Sequence, residues 1–118
     1  MYRKGVNMRF NTVYSDNARQ DLNDIHEYLI SVLHKPHVVA EVTTRLVFSI
    51  GSLEEPIVRH NQYQHEPWKS KKLYRMTVSN FLVFYLINIP ERIIYIVRVM
   101  HLSRDFEKCL ESFEWEDM

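Results

Sequence analysis

A chain of 118 residues has room for one domain, because halving it would leave pieces too small to bury a core of their own. Hydrophobic residues at 46% and charged residues at 25% fit a globular protein and exclude wholesale disorder, and two glycines are too few for a nucleotide-cradling loop. The formal charge is zero but unevenly spread: residues 58–104 carry eight bases against two acids, and residues 105–118 carry one base against six acids, so a polyanionic or acidic partner is expected.

Residues 1–8 hold Arg3 and Lys4 with no apolar stretch behind them, which reads as a flexible extension rather than a signal peptide. Residues 9–14 alternate in β-favouring types and predict a first strand. Ser15 or Asp16 offers a helix N-cap, with Asp16, Asp21 and Asp24 near the positive helix end. Ala18, Leu22, Ile25, Leu29 and Val32 then recur at helical spacing. Lys35 and Pro36 break that helix, since the residue before proline is pushed out of helical geometry. A second helix follows on Val39, Val42, Leu46, Ile50 and Leu53, and so short a break makes the two an antiparallel hairpin. Residues 54–71 are polar and irregular and read as a long loop, with Glu54 and Glu55 as a solvated helix end. Three strands are predicted next, over 72–80, 82–89 and 92–100, with Pro90 and Glu91 at the second turn. Ser103 would cap a short helix to about Leu110, and residues 111–118 form an acidic tail that frays or docks loosely. The lone Cys109 leaves no internal disulfide and suits a reducing cytoplasm. No apolar run approaches the roughly 20 residues that span a bilayer.

The fold class expected is therefore α+β: one domain with an N-terminal strand, a two-helix antiparallel hairpin, a three-stranded antiparallel meander and a short C-terminal helix. The hairpin's apolar stripe would cover one face of the sheet. The opposite face would be left bare for Arg75, Thr77 and Arg98, with Arg75 set by alternation on the other side from Tyr74 and Met76.

Residues 72–85 (KLYRMTVSNFLVFY) and 93–105 (IIYIVRVMHLSRD) resemble the sheet signature of the RelE/ParE superfamily of toxins. That signature has a basic residue on the second strand, an aliphatic-aromatic third strand ending in Phe-Tyr, and a fourth strand running into an Arg-Asp pair. Residues 14–28 (YSDNARQDLNDIHEY) are similar to the first strand and helix of the same family. The likeness spans about residues 9–110. It implies the toxin half of a type II toxin–antitoxin pair that arrests growth, with a cognate antitoxin protein as partner. The superfamily has two branches: RelE-like members cut messenger RNA on the ribosome, and ParE-like members poison DNA gyrase without nuclease chemistry.

Ribosome-dependent, metal-independent endoribonuclease activity is the first expectation, with ribosome and mRNA as partners and no cofactor. Such cleavage needs a base for the 2′-hydroxyl, cations for the pentacoordinate phosphate and an acid for the leaving oxygen. The resemblance places Arg75, Arg104 and His101 in those roles, with Glu66 as a weaker acid/base candidate in a Glu-Pro pair. Lys71, Lys72 and Arg98 are the candidate substrate-binding cations, although Arg98 equally suits a carboxylate partner that holds the last strand. His101 likewise suits a structural hydrogen bond at a strand end. Phe106, Leu110, Phe113 and Trp115 offer an apolar docking site for the antitoxin. Tyr63 and Trp68 suit base stacking or, more simply, packing. His60 and His65 lack a third ligand for a metal. Three departures favour the alternative, a non-enzymatic gyrase inhibitor. The family's third-strand arginine is Leu82, a second cation after Arg75 is Thr77, and a tyrosine beyond the Arg-Asp pair is Phe106. Each missing cation removes roughly 2.7–4 kcal/mol of transition-state stabilisation, by analogy with a lost oxyanion donor.

Overall fold

The computed structural model describes residues 9–55, 60–64 and 66–102. The expected short helix from Ser103, the acidic tail and the N-terminal extension lie outside the described residues. Strand β1 (Asn11–Tyr14) leads into α1 (Asp16–Leu33) and α2 (Pro36–Gly51), followed by a 3-10 turn over Ser52–Glu54. A two-residue strand β2 (Asn61–Gln62) precedes the meander β3 (Tyr74–Val78), β4 (Phe81–Asn88) and β5 (Ile93–His101). The five strands form one sheet in the order β1-β5-β4-β3-β2. All pairs are antiparallel except β1 with β5, which runs parallel from Asn11 opposite Ile93 to Tyr14 opposite Ile96.

Each junction has a local cause. Ser15 is the N-cap: its Oγ accepts the Ala18 N–H at 2.9 Å and donates to the Val97 carbonyl at 2.7 Å, so one side chain starts α1 and fixes it to β5. His34 takes the left-handed conformation (φ 53°) that ends α1, and Pro36 opens α2 at a position where its missing N–H costs nothing. His26 of α1 lies 3.4 Å from Thr43 of α2 across the hairpin. The meander turns at Ser79–Asn80 and at 89–92, where the Asn88 side chain accepts the Glu91 N–H at 3.0 Å.

The helices cover one face of the sheet. Ala18, Leu46, Ile50 and Leu53 bury against Val83, Tyr85, Ile94, Ile96 and Val99. The other face was expected to be bare, and it is not. The segment expected to be an open loop folds back over it: β2 pairs with β3, the Tyr63 N–H donates to the Leu73 carbonyl at 2.8 Å, and the Leu73 N–H donates to the Trp68 carbonyl at 3.1 Å. Tyr63 and Trp68, each 2% exposed, pack with Leu73, Leu82, Phe84, Val97 and Met100 into a second apolar cluster. Packing, not base stacking, therefore accounts for both aromatics. A sheet that is apolar on both faces needs cover on both, and this segment supplies it.

The sheet's outer edge is closed as well. Glu54, expected to be a solvated helix end, accepts the outward-facing Thr12 N–H of β1 at 2.9 Å and pairs with Arg9, which also bonds Glu55. The Thr12 hydrogen bond and the Arg9 charge outweigh partial burial and hold the Glu54 carboxyl below its usual range. A capped edge strand is a poor template for stray strand pairing.

Candidate functional site

The residues singled out for chemistry divide among three places. Arg75, Lys71, Lys72 and Lys69 form an exposed basic stripe along β3 and the turn before it. Arg75 stands opposite Phe84 on the face away from the helices, as alternation predicts, with its guanidinium 5.2 Å from the centre of the Tyr63 ring. That distance permits a cation–π contact that orients the charge while leaving it in solvent. Glu66 is exposed in the same turn. Its carboxylate accepts the Ser70 N–H at 3.1 Å, and this bond holds it below its usual range, so it is ionised at neutral pH and unsuited to donating a proton.

His101 ends β5 opposite Phe81, its ring edge-on to the phenyl at 5.5 Å. Phe81 belongs to the helix-side cluster, so His101 and Arg75 issue from opposite faces of the sheet. The cause is an irregularity in β5. Phe84 pairs with Arg98 and Tyr85 with Ile96, so Val97 is an extra residue between them. An inserted residue exchanges the faces of everything beyond it. Ile94 and Ile96 lie under the helices, and simple alternation would put Arg98 and Met100 there too. Instead Val99 packs on the helix side and Met100 on the other.

Arg98, weighed as a substrate-binding cation, is held by Asp21 of α1 through two bonds, Nε to Oδ2 at 2.7 Å and Nη2 to Oδ1 at 2.8 Å. The same Oδ2 accepts the Val99 N–H at 2.9 Å, beyond the point where β1 stops pairing with β5. A fork-to-fork pair with both side chains largely buried is a structural clasp. Arg104 and the expected antitoxin-docking residues Phe106, Leu110, Phe113 and Trp115 lie outside the described residues, as does His65.

In the sequence His60 stands out only as a possible metal ligand, and Tyr85 only as the close of the Phe-Tyr strand. The fold joins them with Tyr74. His60 Nδ1 lies 2.8 Å from Tyr85 Oη, its ring is edge-on to Tyr74 and Tyr85, and the two tyrosines stack at 5.7 Å. Burial lowers the His60 pKa and, with Tyr74 alongside, raises that of Tyr85. The pairing of β2 with β3 and of β3 with β4 creates this cluster, and no spacing in the chain announces it. Tyr74 and Tyr85 belong with the helix-side core, so this neutral histidine also sits across the sheet from Arg75. Among the described residues no group of three or more His, Cys, Asp or Glu is placed to hold a metal ion, and no helix is long and apolar enough to cross a membrane. What the described surface offers is a cationic stripe suited to binding, without a proton donor and acceptor converging on it.

Comparison with known proteins gives a consistent result. Residues 12–106 match the family model described as ParE toxin of the type II toxin–antitoxin system parDE. No curated protein matches the chain by sequence. Among solved structures, a chain of the chromosomal ParDE toxin–antitoxin system from P. aeruginosa is similar with a TM-score of 0.66 and 13% identity, over 82% of this chain and 100% of that one. A chain of the RelBE2 toxin–antitoxin complex from Mycobacterium tuberculosis is similar with a TM-score of 0.54 and 20% identity, over 79% of this chain and 98% of that one. At such identities the likeness establishes a shared fold.

Proposed function

Because the chain belongs to the ParE toxin family of type II toxin–antitoxin systems, we propose that it arrests growth by binding and inhibiting DNA gyrase, without cleaving RNA. The observation that carries this reading is the separation of Arg75 and His101 onto opposite faces of the sheet. A metal-free nuclease needs its cation, base and acid around one phosphate, and general acid–base catalysis requires hydrogen-bond reach. Arg98 is committed to Asp21, and Glu66 is an ionised cap on a surface turn. Inhibition by binding needs none of that convergence. It needs a stable cationic surface, which Lys69, Lys71, Lys72 and Arg75 provide.

The partner that silences the toxin is an antitoxin protein, and the apolar residues Phe106, Leu110, Phe113 and Trp115 are its proposed contact. Both solved relatives come from toxin–antitoxin systems, which supports this pairing. The test runs two assays on the same protein. Purified full-length chain is added to gyrase in a supercoiling assay, and RNA 5′ ends are mapped in cells after induction. Loss of supercoiling with intact messages is expected, and replacing Lys71, Lys72 and Arg75 together by alanine should weaken inhibition by roughly tenfold or more. Codon-phased cuts within messages, with gyrase unaffected, would overturn the proposal.

A further inference from the structure

The stripe of Lys69, Lys71, Lys72 and Arg75 is set apart by what surrounds it. Among the described residues, exposed large hydrophobic side chains occur on β1, α1, α2, the 89–92 turn and at Leu102, and none on β2, β3 or the turn that carries the lysines. The apolar residues beneath the stripe are closed off, since Tyr63, Trp68 and Leu73 are all buried. The side chains beside it are neutral and polar. Asn61 stands directly opposite Arg75, and Thr77 follows two residues along the same strand, both exposed on the face away from the helices. Glu66 is the acid of the same turn, and its carboxylate is taken up by the Ser70 N–H beside Lys69.

We infer that this stripe binds the phosphate backbone of duplex DNA, so that the toxin engages the DNA on which gyrase acts. The gyrase reading supplies the identity of that DNA, and what the cations touch goes beyond it. Protein interfaces are built around an apolar centre with aromatic anchors, and the stripe presents none. Protein–DNA contacts are instead polar and strongly positive, with lysine, arginine, asparagine and threonine side chains on phosphate oxygens. Single strands are held by stacking their bases on aromatic rings, and here Tyr63 and Trp68 are enclosed in the second cluster. A duplex stacks its bases inside and presents its charged backbone. Lys72 and Arg75 lie three residues apart, at most about 11 Å of chain, while successive phosphates of one DNA strand advance about 3.4 Å along the axis. The stripe therefore meets several phosphates at once. The Tyr63 ring, 5.2 Å from the Arg75 guanidinium, orients that charge without neutralising it.

Fluorescence anisotropy of the full-length chain with a labelled DNA duplex of about 30 base pairs, from roughly 50 to 200 mM salt and without gyrase, tests this. Sequence-independent binding is expected, with a Kd on the order of 1–100 μM near physiological salt. Four cations less Glu66 neutralise about three phosphates, so log K should fall with log salt at a slope of about −3. Arg75→Ala or Lys69→Ala should each reduce that slope by about one, and Arg75→Lys, which keeps the charge, should not. Arg19→Ala removes an exposed charge from α1, on the other side of the sheet, and should leave the slope unchanged. All these side chains are exposed, so circular dichroism and melting temperature should hold steady. No duplex binding at the lowest salt, a slope unmoved by Arg75→Ala, or an equal loss from Arg19→Ala would overturn the inference. So would tighter binding of single-stranded RNA than of the duplex, which would assign the stripe to RNA. Supercoiling is scored separately. Inhibition by a chain that ignores duplex DNA overturns the DNA contact and keeps the gyrase reading, whereas duplex binding with supercoiling intact supports the contact and overturns the gyrase reading.

Discussion

His60 is a part-buried histidine whose ionisation bears on the fold. Its ring packs edge-on against the stacked Tyr74 and Tyr85 and hydrogen-bonds the Tyr85 hydroxyl, which stays protonated because burial raises its pKa. Burial lowers the pKa of His60, so the folded state binds fewer protons at this site than the unfolded chain does near its ordinary value of about 6.5. The stability it contributes is complete above that value and is lost as pH falls through the lower folded one. Melting temperature should therefore drop between pH 7.5 and 5.5 more steeply for the native chain than for His60→Gln. Parallel curves would show that the ring is indifferent to its charge. At this scale the sequence was a partial guide. Alternation sets Arg75 opposite Tyr74 and Met76 correctly, because β3 is regular. The face of His101 is set by the tertiary structure, because the extra residue Val97 lies between the part of β5 where the faces are plain and the part where His101 stands.

At the scale of elements, α1 is tied to the sheet by Ser15 on the Val97 carbonyl and by Asp21 on Arg98 and the Val99 N–H. Both contacts fall on the stretch of β5 that β1 leaves unpaired, so they complete an edge as well as hold a helix. Removing one partner of a buried ion pair leaves the other charge desolvated, a loss of about 3–5 kcal/mol. Asp21→Ala should destabilise the protein by that amount in urea unfolding followed by circular dichroism. A loss below about 1 kcal/mol would mean the pair is hydrated and dispensable. The helix itself was legible from the spacing of Ala18, Leu22, Ile25 and Leu29. The task of Asp21 was not, because an acid in the second turn reads as a favourable dipole contact. Only the tertiary fold, across more than seventy residues of chain, brings Arg98 to it.

At the scale of the molecule, one sheet separates two apolar clusters, one under the helices and one under the segment that carries Tyr63 and Trp68. The second cluster keeps the basic stripe in place, since Arg75 rests on Tyr63 and Tyr63 packs on Trp68 at 5.9 Å. Trp68→Ala should cost about 3–5 kcal/mol, as large-to-small changes in a core do. It should also weaken the proposed gyrase inhibition more than that loss of folded protein explains, because Arg75 loses its platform. Inhibition that tracks the folded fraction alone would detach the stripe from the cluster. The first strand, the two helices and the meander were readable in the chain, because periodicity, proline breaks and turn residues act over a few neighbours, and the family was readable from the motifs of its strands; the short strand Asn61–Gln62 was not. Tertiary structure alone decided which charges share a surface. That depends on one inserted residue in β5 and on a polar-looking segment folding over the second face, and the energy driving both comes from contacts between residues far apart in sequence.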